Sequence, residues 1–216
     1  MGALTEAKER MLQEHLVSRG VINSRVLKAF KEVPREQFVP SRFYNLAYED
    51  TPLEIGSGQT ISQPYTVAFM TQLLDPQLQD IVLEVGTGSG YQAAILSRLC
   101  KRVYSMERFK ELGDKAREVL RRLGYDNVEA VVGDGSKGLP EKAPFDGVIV
   151  TAASPSIPQP LIDQLKVKGR LVAPVGVGLQ EMVRITKRPN GLDKETFPGF
   201  RFVPLVGEYG FRATHH

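Results

Sequence analysis

A glycine-rich turn is the segment of this sequence best suited to holding a ligand. Gly86, Gly88 and Gly90 alternate with Thr87 and Ser89, directly after a β-branched run and directly before a run with helical spacing. Glycine lets a backbone turn sharply and approach a ligand closely, and the helix that follows offers unpaired amide donors in its first turn. Three alternating glycines exceed what a tight strand-to-helix turn needs, so we predict a loop that binds a nucleotide cofactor.

The spacing of this loop narrows the choice of cofactor. A dinucleotide fingerprint, G-x-G-x-x-G, needs a third glycine where Tyr91 stands, so nicotinamide and flavin cofactors are disfavoured. Residues 133–138 have the glycine spacing of a P-loop, but Leu139 follows where that motif requires a lysine. The remaining pattern, E-x-G-x-G-x-G beginning at Glu84, resembles the S-adenosylmethionine-binding motif of Rossmann-like methyltransferases.

Two acidic residues fit the same interpretation. Glu107 ends the next predicted strand, about 20 residues past the first glycine, where a carboxylate would accept hydrogen bonds from both hydroxyls of a ribose. Asp134 follows the third strand, where such methyltransferases hold the adenine amino group, although an Asp beside glycines is by itself often a turn residue. Both acids end parallel strands and therefore lie on one sheet edge, which is where open α/β sheets bind ligands.

The methyl acceptor has to be inferred from other residues. Residues 150–155 lack the Asp/Asn-Pro-Pro-aromatic clamp that holds the exocyclic amines of bases. Cys100 ends a predicted helix and His15 lies on the first helix, so we expect a buried structural thiol and a structural imidazole rather than a nucleophile and a base. An acceptor that needs no base is favoured. A carboxylate, with a pKa of about 4, is already nucleophilic at neutral pH and needs only positioning.

Donors that could position a carboxylate occur in the segment Gln59-Thr60-Ile61-Ser62-Gln63-Pro64-Tyr65. Pro64 is typical of the first turn of a helix, which predicts Ser62 at or next to the N-cap. Plain helix capping explains the pattern equally well on local grounds. The two interpretations are compatible, because a hydroxyl beside free amides at the positive end of a helix is a good site for an anion.

The elements that must position these residues begin with a predicted N-terminal cap, residues 1–60. Apolar residues at helical spacing over 11–17 and 26–33 indicate two amphipathic helices, the first closed by Gly20 and the second capped by Asn23 or Ser24. Residues 34–58 combine prolines, glycines and aromatic side chains, which predicts irregular structure lying over a surface.

Residues 61–178 are predicted to form the cofactor-binding core. Strands alternate with helices here, which predicts an α/β fold with a doubly wound, mostly parallel, Rossmann-like sheet and right-handed crossovers. The predicted strands are 81–85, 102–106, 128–132, 145–151 and 170–175, and the predicted helices are 64–74, 91–99, 110–123 and 159–165.

The remaining residues, 179–216, are predicted to add antiparallel strands at the sheet edge and a tail. Residues 181–187, the turn Pro189-Asn190-Gly191 and residues 200–206 have strand and hairpin character. His215 and His216 are interpreted as remnants of a purification tag.

The length of 216 residues favours one domain, and the charged residues among the first 20 predict that it stays in the cytoplasm. Hydrophobic residues make up 42% and charged residues 25%, enough for a packed core, and no apolar run approaches the roughly 20 residues of a membrane-spanning helix. The single cysteine excludes an internal disulfide and a thiolate zinc site. The basic residues behind the net charge of +3 are scattered along the chain, so we expect no nucleic-acid partner. We also expect a monomer without a metal or a membrane partner.

The motifs together resemble those of the protein-L-isoaspartate O-methyltransferase family. The resemblance covers nearly the whole chain and is carried by Gly58-Gln59-Thr60-Ile61-Ser62-Gln63-Pro64, residues 83–91, Gly133-Asp134-Gly135, Phe145-Asp146 and Phe202-Val203-Pro204-Leu205. The glycine loop is generic to methyltransferases, whereas T-I-S-Q-P and V-P-L are specific to this family. The resemblance implies methyl transfer from S-adenosylmethionine to the α-carboxylate of L-isoaspartyl residues in damaged proteins and peptides. The products would be S-adenosylhomocysteine and an ester that closes to a succinimide and starts repair.

The resemblance also implies roles for individual residues. Ser62 would be the active-site hydroxyl, with Thr60 beside it. The cofactor would be held by Glu84, Gly86, Thr87, Gly88, Gly90, Glu107, Asp134 and Gly135. The peptide substrate would contact Gln59, Ile61, Val203 and Leu205.

Two other functions stay open at this point. One is a methyltransferase that acts on RNA or a small molecule, supported only by the basic pI of about 8.9. The other is a protein that binds S-adenosylmethionine without turnover, and the presence of Thr60, Ser62, Glu107 and Asp134 counts against it.

Overall fold

The N-terminal helices form as the periodicity predicts. The structure is a computed structural model that describes residues 2–212, so His215 and His216 lie outside the described residues. Helix α1 (Ala3–Arg10) continues through a π-helical turn (Met11–Leu16) and a 3-10 turn (Val17–Arg19) and ends at Gly20, whose φ of 89° is left-handed. Helix α2 (Ser24–Glu32) is capped by the Asn23 side chain, which accepts hydrogen bonds from the Arg25 and Val26 amides.

A two-stranded hairpin begins in the segment 34–58 that was predicted to be irregular, and that prediction is wrong for residues 53–58. Strands β1 (Leu53–Gly56) and β2 (Gln59–Ile61) pair antiparallel around Ser57 and Gly58, whose φ angles are 52° and 67°. Such short strands carry almost no alternating pattern, which is why the sequence did not show them. The first half does lack regular strands, with 3-10 turns at Arg35–Phe38 and Ser41–Leu46.

The predicted parallel sheet is confirmed. After helix α3 (Pro64–Leu74), helices and strands alternate along the chain as β3 (Ile81–Val85), α4 (Tyr91–Ser97), β4 (Arg102–Glu107), α5 (Lys110–Arg122), β5 (Val128–Val132), β6 (Phe145–Val150), α6 (Gln159–Asp163) and β7 (Leu165–Val175). These five strands are parallel in the order β5-β4-β3-β6-β7. The strand order reverses between β3 and β6, so the connections that leave these two paired strands run in opposite directions, and such a point is where open α/β sheets bind ligands.

The antiparallel edge is confirmed, but its second strand was predicted in the wrong place. Strands β8 (Gln180–Arg188) and β9 (Gly191–Phe200) form a hairpin through Pro189 and Asn190, with β8 paired to β7. Residues 200–206 had been predicted as the returning strand. They instead cross the carboxyl ends of the parallel strands, where Pro204 forms a single bridge with Ala153.

Alternation along the central strands divides the interior into two cores, one on each face of the sheet. Val82, Ile149 and Val172 face the core that holds the N-terminal helices, α3 and α4. Their neighbours Leu83 and Val148 face the opposite core, under α6 and the C-terminal segment. Successive side chains of a strand point to opposite faces, so burial on both faces gives the nearly continuous apolar runs of the sequence.

The helices of residues 2–212 are too short or too polar to cross a bilayer.

Candidate active site

The glycine loop connects β3 to α4 in a conformation that requires glycine. Gly86, Gly88 and Gly90 have φ angles of 101°, 53° and 87°, which L side chains rarely adopt. A Cβ at Gly86 would also overlap the hydroxyl of Thr151. The loop is tied to the neighbouring strand because the Gly86 amide donates to the Met106 carbonyl at 2.8 Å. Its backbone is therefore held close to the sheet and open to a ligand.

Glu107 lies at the end of β4 with its carboxylate turned toward this loop. One oxygen accepts the Gly88 amide at 2.8 Å, and the other accepts the Phe109 amide at 3.0 Å. An ionised carboxylate has about four acceptor positions, so each oxygen keeps a lone pair for a ligand hydroxyl. This geometry suits two adjacent hydroxyls, such as those of a ribose.

Glu84 lies beneath the loop rather than at its surface. Its side chain is fully buried, and one carboxyl oxygen accepts the Ser105 hydroxyl at 2.5 Å, which in turn lies 2.6 Å from the Thr87 hydroxyl. Burial raises the pKa of the Glu84 carboxyl to about 8. The structure thus connects Glu84 to the loop through Ser105 and Thr87, and Glu84 does not line the cavity beside the loop.

Asp134 is engaged by the C-terminal segment. Its carboxylate caps the 3-10 turn Gly135–Lys137, accepting from the Ser136 amide and hydroxyl, and its other oxygen accepts the Glu208 amide at 2.9 Å. Burial raises the pKa of the Asp134 carboxyl, but these hydrogen bonds outweigh burial and hold the pKa below its ordinary value. Asp134 is therefore ionised, and it holds the C-terminal segment beside the cleft.

Three adjoining cavities form the site. The first, the loop cleft, lies at the carboxyl ends of the strands and is lined by Gln59, Thr60, Val85, Gly86, Gly88, Met106, Glu107, Arg108, Gly135, Thr151, Ala152 and residues 203–206. It brings together four of the eight predicted cofactor residues, Gly86, Gly88, Glu107 and Gly135, with Val203 and Leu205. Asp134 and Gly90 support this cleft from outside its lining.

The second cavity, the Ser62 cavity, has a volume of about 300 Å³. It is lined by Pro52, Thr60, Ser62, Gln63, Thr66, Thr151, Arg201, Phe202 and Val203. The third, the junction cavity, is lined by residues 60–62, Val67, Met70, residues 86–89, Tyr91, Gln92 and Thr151. Thr60 and Thr151 line all three cavities, and Ser62 lines the second and third. The glycine loop and Ser62 therefore both line the junction cavity.

A buried arginine holds the backbone of Ser62. The Arg35 guanidinium is inaccessible to solvent; its Nε donates to the Ala47 carbonyl at 2.7 Å and its Nη2 to the Ser62 carbonyl at 2.9 Å. The same guanidinium lies 4.8 Å from the centre of the Tyr91 ring, at the first residue of α4. One side chain thus contacts both the Ser62 segment and the helix that follows the glycine loop.

Ser62 lies next to the N-cap of α3, which is one of the two positions predicted for it. Gln63 is the N-cap, and it makes no side-chain cap hydrogen bond. The Asp50 carboxylate instead accepts the Tyr65 amide at 2.9 Å and the Gln63 side chain at 3.1 Å. A carboxylate from the protein already occupies this donor at the helix N-terminus, so the Tyr65 amide is not free to hold a second anion.

Cys100 and His15, which we expect to be structural, both lie outside the three cavities. Cys100 is buried and donates to the Leu96 carbonyl, and burial raises the pKa of its thiol to about 12. His15 lies on the π-helical turn and lines none of the three cavities. Residues 2–212 contain no group of three or more His, Cys, Asp and Glu side chains able to hold a metal.

Sequence reasoning missed Arg35, Asp50 and Thr151. Arg35 contacts Ser62, 27 positions later in the chain, and Asp50 contacts Tyr65, 15 positions later. No local sequence pattern encodes contacts at these separations. Thr151 follows β6 directly, at the same sheet edge as Glu107, and its hydroxyl donates to the Gly86 carbonyl at 2.8 Å. Its place after a parallel strand was a usable signal.

A comparison with protein families agrees with this geometry. The family described as Protein-L-isoaspartate(D-aspartate) O-methyltransferase (PCMT) matches residues 6–210. This chain belongs to that family. The cofactor of this chain is therefore S-adenosylmethionine, as predicted, and the family acts on isoaspartyl-containing proteins. An RNA or small-molecule acceptor is not favoured.

Members of the family from distant organisms align along nearly the whole chain. A protein-L-isoaspartate O-methyltransferase of Methanoculleus marisnigri is 51% identical over 207 residues, covering 95% of this chain and 94% of the relative. Protein-L-isoaspartate O-methyltransferase 2 of Nitrosococcus oceani is 53% identical over 204 residues, covering 94% and 93%.

Solved structures of the family share the fold. One protein-L-isoaspartate O-methyltransferase superposes with a TM-score of 0.85 at 31% identity, covering 94% of this chain and 67% of that one. A Plasmodium falciparum structure named for the same activity, in complex with S-adenosyl-L-homocysteine, superposes with a TM-score of 0.77 at 28% identity, covering 90% and 96%.

Proposed function

We propose that this chain transfers the methyl group of S-adenosylmethionine to the α-carboxylate of L-isoaspartyl residues, with Ser62 and Thr60 positioning that carboxylate. The observation that carries the assignment is the continuity of the site. Ser62 lines both the cavity that opens toward Arg201 and the junction cavity beside the glycine loop. A carboxylate held at Ser62 would therefore face a methyl group presented from the loop side.

The cofactor residues follow from the lining of the loop cleft. Glu107 has acceptor capacity for both ribose hydroxyls, and the backbone of Gly86 and Gly88 allows the close approach that a bulkier residue would block. Gly135 lines the same cleft, and Thr87 lines the junction cavity. We assign Glu84 and Gly90 to the support of the loop and Asp134 to the adenine end.

The reaction needs positioning rather than proton transfer. S-adenosylmethionine, when bound, supplies an electrophilic methyl group on a sulfonium. The acceptor carboxylate is ionised at neutral pH, so the chain has to orient it and exclude water, which can contribute about 7–11 kcal/mol. Hydroxyl donors suit this task. A cation paired with the acceptor would stabilise a charge that is lost in the transition state, and so would favour the ground state.

The peptide lies, in this proposal, along the segment that crosses the strand ends. Val203 lines both the loop cleft and the Ser62 cavity, Leu205 lines the loop cleft, and Gln59 and Ile61 flank Thr60 on the other side. The enzyme would act as a monomer in the cytoplasm on damaged proteins, without a nucleic-acid or membrane partner. The single unpaired cysteine and the scattered basic residues support this setting.

The test is transfer of labelled methyl from S-adenosylmethionine to two synthetic peptides that differ only in one residue, L-isoaspartate or L-aspartate. We expect base-labile label on the isoaspartyl peptide alone, because a carboxyl ester is base-labile. Equal label on both peptides would contradict the substrate assignment. Absence of label on both peptides, with binding of S-adenosylhomocysteine confirmed by calorimetry, would refute the isoaspartyl residue as methyl acceptor. It would not affect the assignment of the cofactor.

A further inference from the structure

Gln92, in the first turn of α4, carries a buried acceptor that nothing in residues 2–212 satisfies. The side chain is 7% exposed and lines the junction cavity between the glycine loop and Ser62. Its Nε2 donates to the Thr71 hydroxyl at 3.0 Å, whereas its Oε1 has no hydrogen-bond partner among the described residues. Buried polar atoms are nearly always paired, so an unpaired one beside a ligand cavity indicates a partner that comes with the ligand.

The orientation of this amide is decided by its neighbour. The Thr71 hydroxyl donates to the Val67 carbonyl at 2.7 Å, one turn earlier in α3. A hydroxyl has one proton, so Thr71 can offer Gln92 only a lone pair, and the amide must present its NH2 group there. The amide oxygen of Gln92 is consequently the atom without a partner, and it can accept a hydrogen bond from a ligand.

We propose that the Gln92 Oε1 accepts a hydrogen bond from the α-ammonium group of S-adenosylmethionine and so selects the amino-acid end of the cofactor. This inference rests on the cofactor of the proposed function and is independent of the methyl acceptor. Glu107 and Gly135 assign the ribose and adenine to the loop cleft, so the amino-acid end lies toward the junction cavity.

The chemistry of the junction cavity favours an ammonium group over other donors. None of the residues that line it is acidic. Two of its hydroxyls are already paired within the protein, Thr87 with Ser105 and Thr151 with Gly86. Gln92 supplies the one side-chain carbonyl of the lining, and a hydrogen bond from a charged donor is stronger than one between neutral groups.

The experiment measures two ligands against two proteins by calorimetry. The ligands are S-adenosylhomocysteine and its analogue in which the α-amino group is replaced by hydrogen. The proteins are the wild type and Gln92→Leu. The wild type should bind the deaminated analogue about tenfold more weakly than S-adenosylhomocysteine, the loss expected for one hydrogen bond to a charged group. In Gln92→Leu, S-adenosylhomocysteine should bind about tenfold more weakly and the two ligands should differ by less than twofold.

A second variant keeps the inference testable if Gln92→Leu does not fold. Thr71→Val preserves the shape of α3 but removes the lone pair that orients the amide, and Thr71 does not line the junction cavity. The preference for S-adenosylhomocysteine over the analogue should then fall by severalfold. If either folded variant keeps the wild-type ratio between the two ligands, Gln92 does not contact the ammonium group and its oxygen binds water. Failure of the wild type to bind S-adenosylhomocysteine would instead count against the proposed function.

Discussion

The loop cleft and the Ser62 cavity are adjacent, but they are assembled from the chain in different ways. Six of the fifteen residues that line the loop cleft come from residues 85–108, a single strand, turn, helix and strand. The Ser62 cavity draws its lining from residues 52–66, 151 and 201–203. Its key segment is held by side chains from elsewhere, Arg35 on the Ser62 carbonyl and Asp50 on the Tyr65 amide. One local unit thus supplies the glycine loop and Glu107 of the proposed cofactor side, whereas long-range contacts hold the Ser62 segment of the proposed acceptor side.

This comparison predicts that substitutions can impair methyl transfer without weakening cofactor binding, and the reverse. Removing the hydroxyl of Ser62 should have the largest effect. In Ser62→Ala we expect methyl transfer to an isoaspartyl peptide to fall by about 100-fold or more, the loss typical of one oriented donor. The dissociation constant of S-adenosylhomocysteine, measured by calorimetry, should not change. Ser41→Ala, at an exposed serine, is the matched control. Transfer at the wild-type rate would remove Ser62 from the acceptor site.

Glu107→Ala should produce the converse result. Two charge-assisted hydrogen bonds to the ribose would be lost together with the contact to the Gly88 amide, so S-adenosylhomocysteine should bind about 100-fold more weakly. The KM for the peptide at saturating cofactor should stay close to that of the wild type. Glu111→Ala, on the exposed face of α5, serves as control. An unchanged dissociation constant would place the ribose elsewhere.

Arg35→Met tests whether distant contacts position the acceptor side. The variant keeps much of the buried volume but loses the donors to Ala47 and Ser62, so Ser62 should shift and kcat should fall about tenfold, with cofactor affinity retained. Val26→Ala, in the same core, separates this effect from general destabilisation. If both variants lower the melting temperature equally and also lower kcat equally, Arg35 contributes stability alone.

Glu84 should make the free energy of unfolding of this protein depend on pH. Its folded pKa of about 8 lies above the ordinary value of 4.5, so the folded state binds the extra proton between these values. The contribution of Glu84 to the free energy of unfolding is therefore largest below about pH 4.5. It falls as the pH rises, by about 1.4 kcal/mol per pH unit near pH 6 to 7. Denaturant unfolding should show this slope in the wild type and a shallower one in Glu84→Gln. Equal slopes would mean that Glu84 is ionised when folded.

The same contrast explains which structural predictions succeeded. The parallel strands, the helices between them and the glycine turn from β3 to α4 were all predicted, because each depends on periodicity or on a turn that only a few neighbouring residues set. The hairpin at residues 53–61 and the path of residues 200–206 were missed or misplaced. The hairpin strands are too short for a pattern, and the crossing segment is placed by Ala153 and Asp134, far away in the chain.

Within the site, the sequence by itself determined the glycine loop, the acid at the end of β4, the Ser62 segment and the family to which they belong. These features are local, since a turn, a strand end and a short motif are encoded by adjacent residues. Only the tertiary structure decided that Glu84 supports the loop from below, that Asp134 holds the C-terminal segment, and that Asp50 takes the amide at the start of α3. It also exposed the unpaired oxygen of Gln92. Whether a polar atom finds a partner depends on every element packed around it, and a sequence pattern does not carry that information.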